Sequence, residues 1–385
     1  MSFKWSTLGE LSIGGGKYGI SAPAVEFDRN LPAYLRITDI NDDGSLNLSG
    51  RKSVADPLAF DYMLQEGDIV FARTGSSTGR NYYYDLRDGD FAFAGFLIKF
   101  SLDKEKVNPR FIKYYVQSKP YWDWVSSFNT GSTRGNINAK TYAQMPVPLP
   151  DRDVQDAIVC LCDSLSNKIR INNRLNDYLA EMGTALFNNV APQSNAPNAA
   201  LSDIAEITMG QSPSGSSYNE EGSGEVFYQG RAEFGSFFPR RRLFTTEPKR
   251  MAQEGDTLMS VRAPVGDLNI ANEKCCIGRG LAAIHSDTFQ SFTHYLLRGQ
   301  SRQLDAFNGD GTVFGSINGK ALRALPIYLP TEKEINEIET ELKSLDAMIR
   351  NNDDEIRLLE QLRDTLLPKL MAGEIDVSAI NFLQS

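Results

Sequence analysis

The sequence predicts an α+β chain built twice over: a globular module followed by a long amphipathic helix, then the same again, with the two helices pairing antiparallel as a coiled coil. Three observations predict it. From Asp151 to Asn189, Ile158, Leu165, Leu179 and Leu186 stand on a seven-residue ladder, and Leu161, Ile169, Leu175 and Met182 fill in at three- and four-residue steps. Near the C-terminus Ile335, Leu342, Ile349, Ile356 and Leu370 mark one heptad row and Ile338, Leu345, Leu359 and Leu366 another, broken by Arg363 and Asn352. The two stretches also align without a gap, 180 residues apart, from Gly131 and Gly311 through Gly135 and Gly315, Asn138 and Asn318, and Pro150 and Pro330 to Leu186 and Leu366. Such a register marks an internal duplication, with a period far above that of solenoid repeats. An approximate two-fold axis is expected to relate the copies.

In chain order, residues 1–150 form the first module. It opens on Trp5 to Leu11 and the glycine cluster Gly14-Gly-Gly-Lys-Tyr-Gly19, and continues in short strands divided by Gly, Asn and Asp turns. The first long helix takes 151–190, with Asp151 placed to cap it. A linker over 191–200, rich in Pro, Asn and Ala, leads to the second module, 201–330. There Leu201 to Ile207 replays the opening at an offset of 196, Gly210-Gln-Ser-Pro-Ser-Gly stands for the glycine cluster, and Glu254-Gly-Asp through Arg262 matches Glu66-Gly-Asp through Arg73. The second helix spans 331–372, where Thr331 and Glu334 make a capping box, and 373–385 is a tail.

A chain of 385 residues with 41% hydrophobic and 23% charged residues has the composition of a globular protein. No apolar run is long enough for a signal peptide or a membrane span, so a soluble, cytoplasmic chain is expected. Cys160, Cys162, Cys275 and Cys276 have neither metal-ligand nor redox spacing and read as reduced thiols. The net charge of −9 is concentrated in the helices: 332–376 holds 13 acidic against 6 basic residues, and 151–190 holds 6 against 4. Residues 1–150 carry 17 basic and 16 acidic groups, and 201–331 carry 13 and 14, so a basic face on either module would have to come from arrangement rather than excess.

No catalytic motif survives. Gly14-Gly-Gly-Lys-Tyr lacks the spacing of a phosphate-binding loop, Gly135 to Thr141 has Ala where the second Gly belongs, and neither a dinucleotide nor a metalloprotease motif is present. The modules instead offer polar, aromatic and basic side chains in turns. In the first these are Lys17, Tyr18, Arg36, Arg73, Thr74, Ser76, Thr78 and Arg134; in the second, Gln211, Ser212, Gln229, Arg231, Arg240, Arg241, Arg242, Arg262 and Asn318. Arginine on guanine and Gln or Asn on adenine are the usual base-edge pairings, while Lys, Ser and Thr contact phosphate.

The order Leu-x-Glu-Leu/Ile, Gly-Gln-Ser-Pro-Ser, Glu-Gly-Asp with strand and Arg, Gly-x-Ile-Asn, Leu-Pro and long helix, given twice except that the first copy departs with Gly14-Gly-Gly-Lys-Tyr-Gly in place of Gly-Gln-Ser-Pro-Ser, resembles the DNA-specificity subunit of type I restriction-modification systems over nearly the whole chain. The resemblance implies two target-recognition domains, each reading half of a split double-stranded DNA target, on two antiparallel spacer helices. It also implies two modification subunits, which bind S-adenosylmethionine and methylate adenine, a restriction subunit that translocates and cleaves DNA, and no catalysis or cofactor in this chain. A coiled-coil scaffold with duplicated protein- or glycan-binding domains is the alternative. Asn172 and Asn352, each the polar break in its heptad row, are expected to meet and fix the helix register.

Overall fold

The computed structural model describes residues 3–128, 135–192, 195–308 and 315–377. Arg134, Gly131, Gly311 and most of the tail therefore lie outside the described residues. The chain divides into two compact units, residues 1–169 with 358–385 and residues 170–357, and each long helix contributes to both.

Each module has two main sheets, a few short helices and a two-stranded pair, Lys4–Thr7 with Pro146–Leu149 in the first and Ala199–Ala200 with Pro326–Ile327 in the second, and the strand orders match. In the first, Lys17–Tyr18, Leu97–Ser101, Asp68–Ala72 and Asn81–Tyr83 form one antiparallel sheet. Ala24–Glu26, Lys52–Val54, Ala33–Leu35 and Phe91–Phe93 form the other, whose last two strands run parallel. The second module repeats both, as Glu206–Met209, Leu281–His285, Thr257–Ser260 and Leu268–Ile270, and as Tyr218–Asn219, Leu243–Thr245, Glu225–Tyr228 and Cys275–Ile277, with Met251–Ala252 added at the edge. Here too one pair, Phe227 and Tyr228 with Cys276 and Ile277, is parallel.

The Glu-Gly-Asp repeat has a structural cause. Gly67 and Gly255 sit at φ +87° and +90°, where a side chain is strained, and each following aspartate is buried. Asp68 accepts from Gln65 N at 2.9 Å, Lys99 Nζ at 2.7 Å and Ser101 Oγ at 2.6 Å. Asp256 accepts from Gln253 N at 2.7 Å and lies 2.6 Å from His285 Nδ1. Both carboxylates thus close the turn that launches the central strand, with Lys99 in one module and His285 in the other as the countercharge. The Ile-Asn motif is equally structural: Asn138 and Asn318 accept from the backbone N–H three residues on and cap the short helices Ala139–Ala143 and Gly319–Arg323.

Backbone hydrogen bonds correct the alignment of the two openings. Leu8 N bonds Met145 O as Leu201 N bonds Leu325 O, so Leu201 corresponds to Leu8 and not to Trp5. Gly19 N bonds Leu97 O as Gly210 N bonds Leu281 O, which makes Gly19, the last glycine of the cluster, the partner of Gly210. Close packing requires glycine at both: a Cβ would stand 2.2 Å from Phe93 O at Gly19 and 2.2 Å from Gly278 O at Gly210. Arg73 and Arg262 are also out of step. Ile137 N bonds Arg73 O where Ile317 N bonds Val261 O, so Arg73 corresponds to Val261 and Arg262 to Thr74.

The long helices span Arg152–Val190 and Glu332–Met371. In the first unit Ile158, Val159 and Cys162 pack with Leu367, Leu370 and Met371; in the second, Leu179 and Ala180 pack with Leu345 and Ile349, and Phe187 with Ile335, Ile338 and Leu342. In the second unit rising numbers on one helix meet falling numbers on the other, from Asn172 with Glu355 through Asn176 with Asn352 to Phe187 with Ile338, so the helices are antiparallel there. Thr331 and Glu334 form the expected box, with Thr331 N to Glu334 Oε2 at 2.9 Å.

The seam differs from the expected one in its second row. Leu175 and Met182 are exposed, and the row falls instead on Cys162, Asn176, Gly183 and Phe187, one position further on, where the small residues admit close neighbours. A Cβ on Gly183 would stand 2.3 Å from the Tyr295 ring. Asn172 and Asn352 both turn inward but do not bond each other. Asn172 Nδ2 donates to Glu355 Oε2 at 2.7 Å, and Asn352 Nδ2 to Asn176 Oδ1 at 2.8 Å, giving a polar layer of two rungs rather than one. Antiparallel helices pair residues across a constant sum of positions, and that sum brings Asn352 opposite Asn176.

Each module is tied to the long helix that follows it. Tyr114 Oη donates to Asp163 at 2.5 Å and Tyr295 Oη to Asp346 at 3.2 Å. Glu339 accepts from Ser291 N and Phe292 N at the start of the helix Gln290–Gly299, where its charge also meets the positive end of the helix dipole.

Candidate nucleic-acid interface

In the second module a polar cleft of 350 Å³ opens where the two sheets meet. Its walls come from strand ends and the turns that follow them, which fixes the bases of the side chains. Ser212 follows Gly210, Gln229 and Arg231 follow the strand Glu225–Tyr228, Arg262 follows Thr257–Ser260, and Arg279 lies between Cys275–Ile277 and Leu281–His285. Five residues singled out from the sequence, Ser212, Gln229, Arg231, Arg242 and Arg262, are brought together here.

Their hydrogen bonds divide them. Arg231 Nε lies 2.6 Å from Asp267 Oδ2, and Arg242 reaches Glu233 Oε1 at 2.5 Å. Glu233 is itself buried and accepts from Gly230 N, so this pair stiffens the cleft wall. Arg262 and Arg279 are exposed, and neither guanidinium has a hydrogen-bond or ion-pair partner among the described residues. Gln229 and Gln211 are exposed with free amides on the same terms. A guanidinium in water and without a carboxylate keeps all five donors for a ligand.

The rest of the arginine run disperses. Arg241 forks onto Glu273 at 2.5 and 2.7 Å, and Arg240 is exposed outside the cleft, so Arg240, Arg241 and Arg242 do not form one patch. The Asn318 carbonyl oxygen is committed to its helix cap.

A family model, that of the type I restriction modification DNA specificity domain, matches residues 31–181 and 196–361. The chain belongs to that family.

Its relatives are similar over most of their length. A Methanocaldococcus jannaschii chain assigned as the type I restriction enzyme MjaX specificity subunit is 32% identical over 346 residues, covering 82% of this chain and 80% of that one. The MjaIX specificity subunit of the same organism is 20% identical, covering 72% of each. Among solved structures, the type I restriction-modification S subunit from M. genitalium is 18% identical, covers 96% of both chains and superposes with a TM-score of 0.54, a likeness of fold.

The corresponding region of the first module is built differently on the same scaffold. Lys17 and Tyr18 lie exposed on an outer strand, and the Arg73 guanidinium stacks 5.1 Å above the Tyr18 ring. Arg73 Nε is buried with no hydrogen-bond partner among the described residues, at the position that Val261 takes in the second module. Thr74 bridges Asn136, Ser76 is exposed, and Thr78 Oγ1 donates to Gly75 O and Gly135 O, holding that loop closed. Arg36 is committed internally: it meets Asp39 at 2.6 and 3.0 Å and donates to Gly50 O, and the carboxylate raises its pKa further.

Sequence reasoning missed Arg279, which carries no motif and follows a Cys-Cys-Ile-Gly strand end that reads as core. Among the described residues no group of His, Cys, Asp and Glu could hold a metal ion, and no helix is long and apolar enough to cross a membrane. All four cysteines are free; Cys162, Cys275 and Cys276 are buried, and burial pushes the Cys162 thiol up to about 12.

Proposed function

We propose that each module of this specificity subunit reads one half of a split duplex target, and that the helix pair sets the gap and seats two modification subunits. Membership of the family makes the chain the DNA-recognition part of a type I restriction-modification system, working in association with that system's other subunits. The observation that carries the reading to a surface is the convergence of Arg262, Arg279 and Gln229, all uncommitted, in one cleft whose walls are pinned by ion pairs.

Such a site suits base-edge reading. A guanidinium fork matches guanine O6 and N7, and a glutamine amide matches adenine N6 and N7, each worth about 1–3 kcal/mol of discrimination. Lys17, Ser76 and Ser212 would contact phosphate, which positions the duplex without reading it. Rigid walls lower the entropy lost when the side chains engage.

The first helix has 39 residues, which at about 1.5 Å each run roughly 58 Å. That exceeds the roughly 34 Å of one duplex turn, enough to separate two half-sites. Its outward stripe of Ile171, Leu175, Tyr178 and Met182, 52%, 39%, 47% and 55% exposed, supports a protein seat there, since contiguous exposed apolar side chains mark interfaces. The modification subunits would bind S-adenosylmethionine and take adenine out of the stack to methylate it, and a restriction subunit would translocate and cut. This chain supplies recognition and no catalysis.

Sequencing adenine methylation in a host carrying the chain with its modification subunit, and in the same host without the chain, tests this. A split motif with a fixed gap, present only with the chain, is the expected result. Methylation unchanged by its removal overturns the reading.

A further inference from the structure

We infer that the tight turn joining the two sheets of each module carries a base-reading side chain, and that the two turns read opposite chemistries: Arg279 takes guanine in one half-site, and Phe96 packs on a thymine methyl in the other. The inference rests on the proposed reading of duplex DNA and names where, and by what chemistry, each module does it.

The two turns are the same backbone device. Ala94 to Leu97 joins the strand Phe91–Phe93 of one sheet to Leu97–Ser101 of the other, and closes with Leu97 N to Ala94 O at 2.8 Å. Gly278 to Leu281 joins Cys275–Ile277 to Leu281–His285, closing with Leu281 N to Gly278 O at 3.0 Å. Neighbouring backbone holds each turn on both flanks. In the first module Gly95 N donates to Ile20 O at 2.9 Å, and Phe96 O accepts from Arg73 N at 3.1 Å. In the second, Arg279 N donates to Ser212 Oγ at 3.3 Å, and Gly280 O accepts from Val261 N at 2.9 Å. Gly19 and Gly210 lie against the turns so closely that neither position tolerates a Cβ.

The tips differ in chemistry. The first turn reads Gly95-Phe96, with Phe96 57% exposed; the second reads Arg279-Gly280, with Arg279 exposed and its guanidinium unpartnered among the described residues. A phenyl ring held in water by a rigid turn contributes nothing to the core of its own module. Beside it the first module offers the aromatic face of Tyr18 under the Arg73 guanidinium, where the second offers Arg262 and Gln229. Each tip thus matches its neighbourhood. In the major groove the thymine methyl is the apolar mark, and guanine O6 and N7 are the paired acceptors that a guanidinium fork fits.

The test is methylome sequencing of a host co-expressing the modification subunit with the wild-type chain, Arg279→Ala, Arg279→Lys, Phe96→Ala, or the exchanged turn Gly95→Arg with Phe96→Gly. The exchange asks for a small adjustment: a Cβ on Gly95 would stand 3.3 Å from Ile20 O, a tight contact that the neighbouring backbone must relieve, and Gly95 is not in the positive-φ region. Arg279→Ala should admit other bases at one guanine position, with discrimination there falling about tenfold or more. Lysine keeps the charge but loses the fork, so Arg279→Lys should relax the same position while the salt dependence of duplex binding stays that of wild type. Phe96→Ala should relax one thymine position in the other half-site, and the exchanged turn should replace that thymine preference by guanine. Variants that lower methylation at all sites alike, that relax the same half-site, or that leave the motif unchanged overturn the inference. A wild-type chain that directs no split motif would instead overturn the reading of function beneath it.

Discussion

The two modules carry the same strand order, the same glycine-backed turn and the same buried aspartate, yet their cationic groups are spent differently. In the second module Arg231, Arg241 and Arg242 are paired with carboxylates while Arg262 and Arg279 have no partner among the described residues. In the first, Arg36 is locked to Asp39 and Arg73 lies on Tyr18. The difference teaches that arginine content does not locate a reading surface; commitment does. A guanidinium already held by a carboxylate stiffens the wall, and only an unheld one is available to a base.

The largest expected effects strike what the modules share. Gly19→Ala and Gly210→Ala each force a methyl to 2.2 Å from a carbonyl oxygen, an overpacking that costs about 1–3 kcal/mol or more. Thermal unfolding should show similar losses for the two, and each variant should impair only its own half of the methylated motif. Unequal losses would mean the turns are not equivalent scaffolds.

Next come the two arginines that follow the central strands. Arg262→Ala should relax one position of the motif, by about 1–3 kcal/mol of discrimination. Arg73→Ala should chiefly lower the stability of the first module, because its stem fills a half-buried place against Tyr18. Methylome sequencing beside unfolding curves separates them, and identical profiles for the two would break the comparison.

A smaller difference is set by pH. Asp256 faces His285, whose pKa the Asp256 carboxylate raises, with Asp287 adding to the effect, while Asp68 faces Lys99. A raised histidine contributes stability that is fully present below its unfolded value, about 6.5, and is lost as pH rises through the folded value. Burial also raises the Asp256 pKa, so once His285 is neutral the carboxylate is left in a costly place. Thermal stability of the second module should therefore fall from pH 6 toward pH 8, and His285→Lys should flatten that slope; an equal slope in His285→Lys would contradict the account. The smallest effect is Arg241→Ala. Its exposed pair with Glu273 should contribute less than about 1 kcal/mol, and the motif should not change.

Much of this arrangement was legible in the sequence, and the failures have physical reasons. The constant offset of 180 reaches from Gly135 to Leu186 because helices and their caps tolerate no insertion, so Asn138, Asn318, Thr331 and Glu334 announced themselves. The two arginines after the strands looked equivalent, yet Gly67 to Gly255 and Arg73 to Val261 are both 188 apart, so Arg262 stands in the place of Thr74, as the bonds from Ile137 and Ile317 show. The glycine cluster misled similarly, since composition favours Gly14 and steric contact singles out Gly19. Arg279 was invisible because no periodicity marks a turn tip. In the helix seam, Leu175 and Met182 were the more apolar choice, yet the closer approach allowed by Gly183 and Asn176 won.

The central claim is that the modules read DNA independently, and exchange tests it most directly. Residues 201–330 would be replaced by the matching part of a relative, and adenine methylation sequenced in a host carrying the hybrid with its modification subunit. The account predicts a motif with one half changed, and the other half and the gap between them retained. A hybrid in which both halves change together would contradict it.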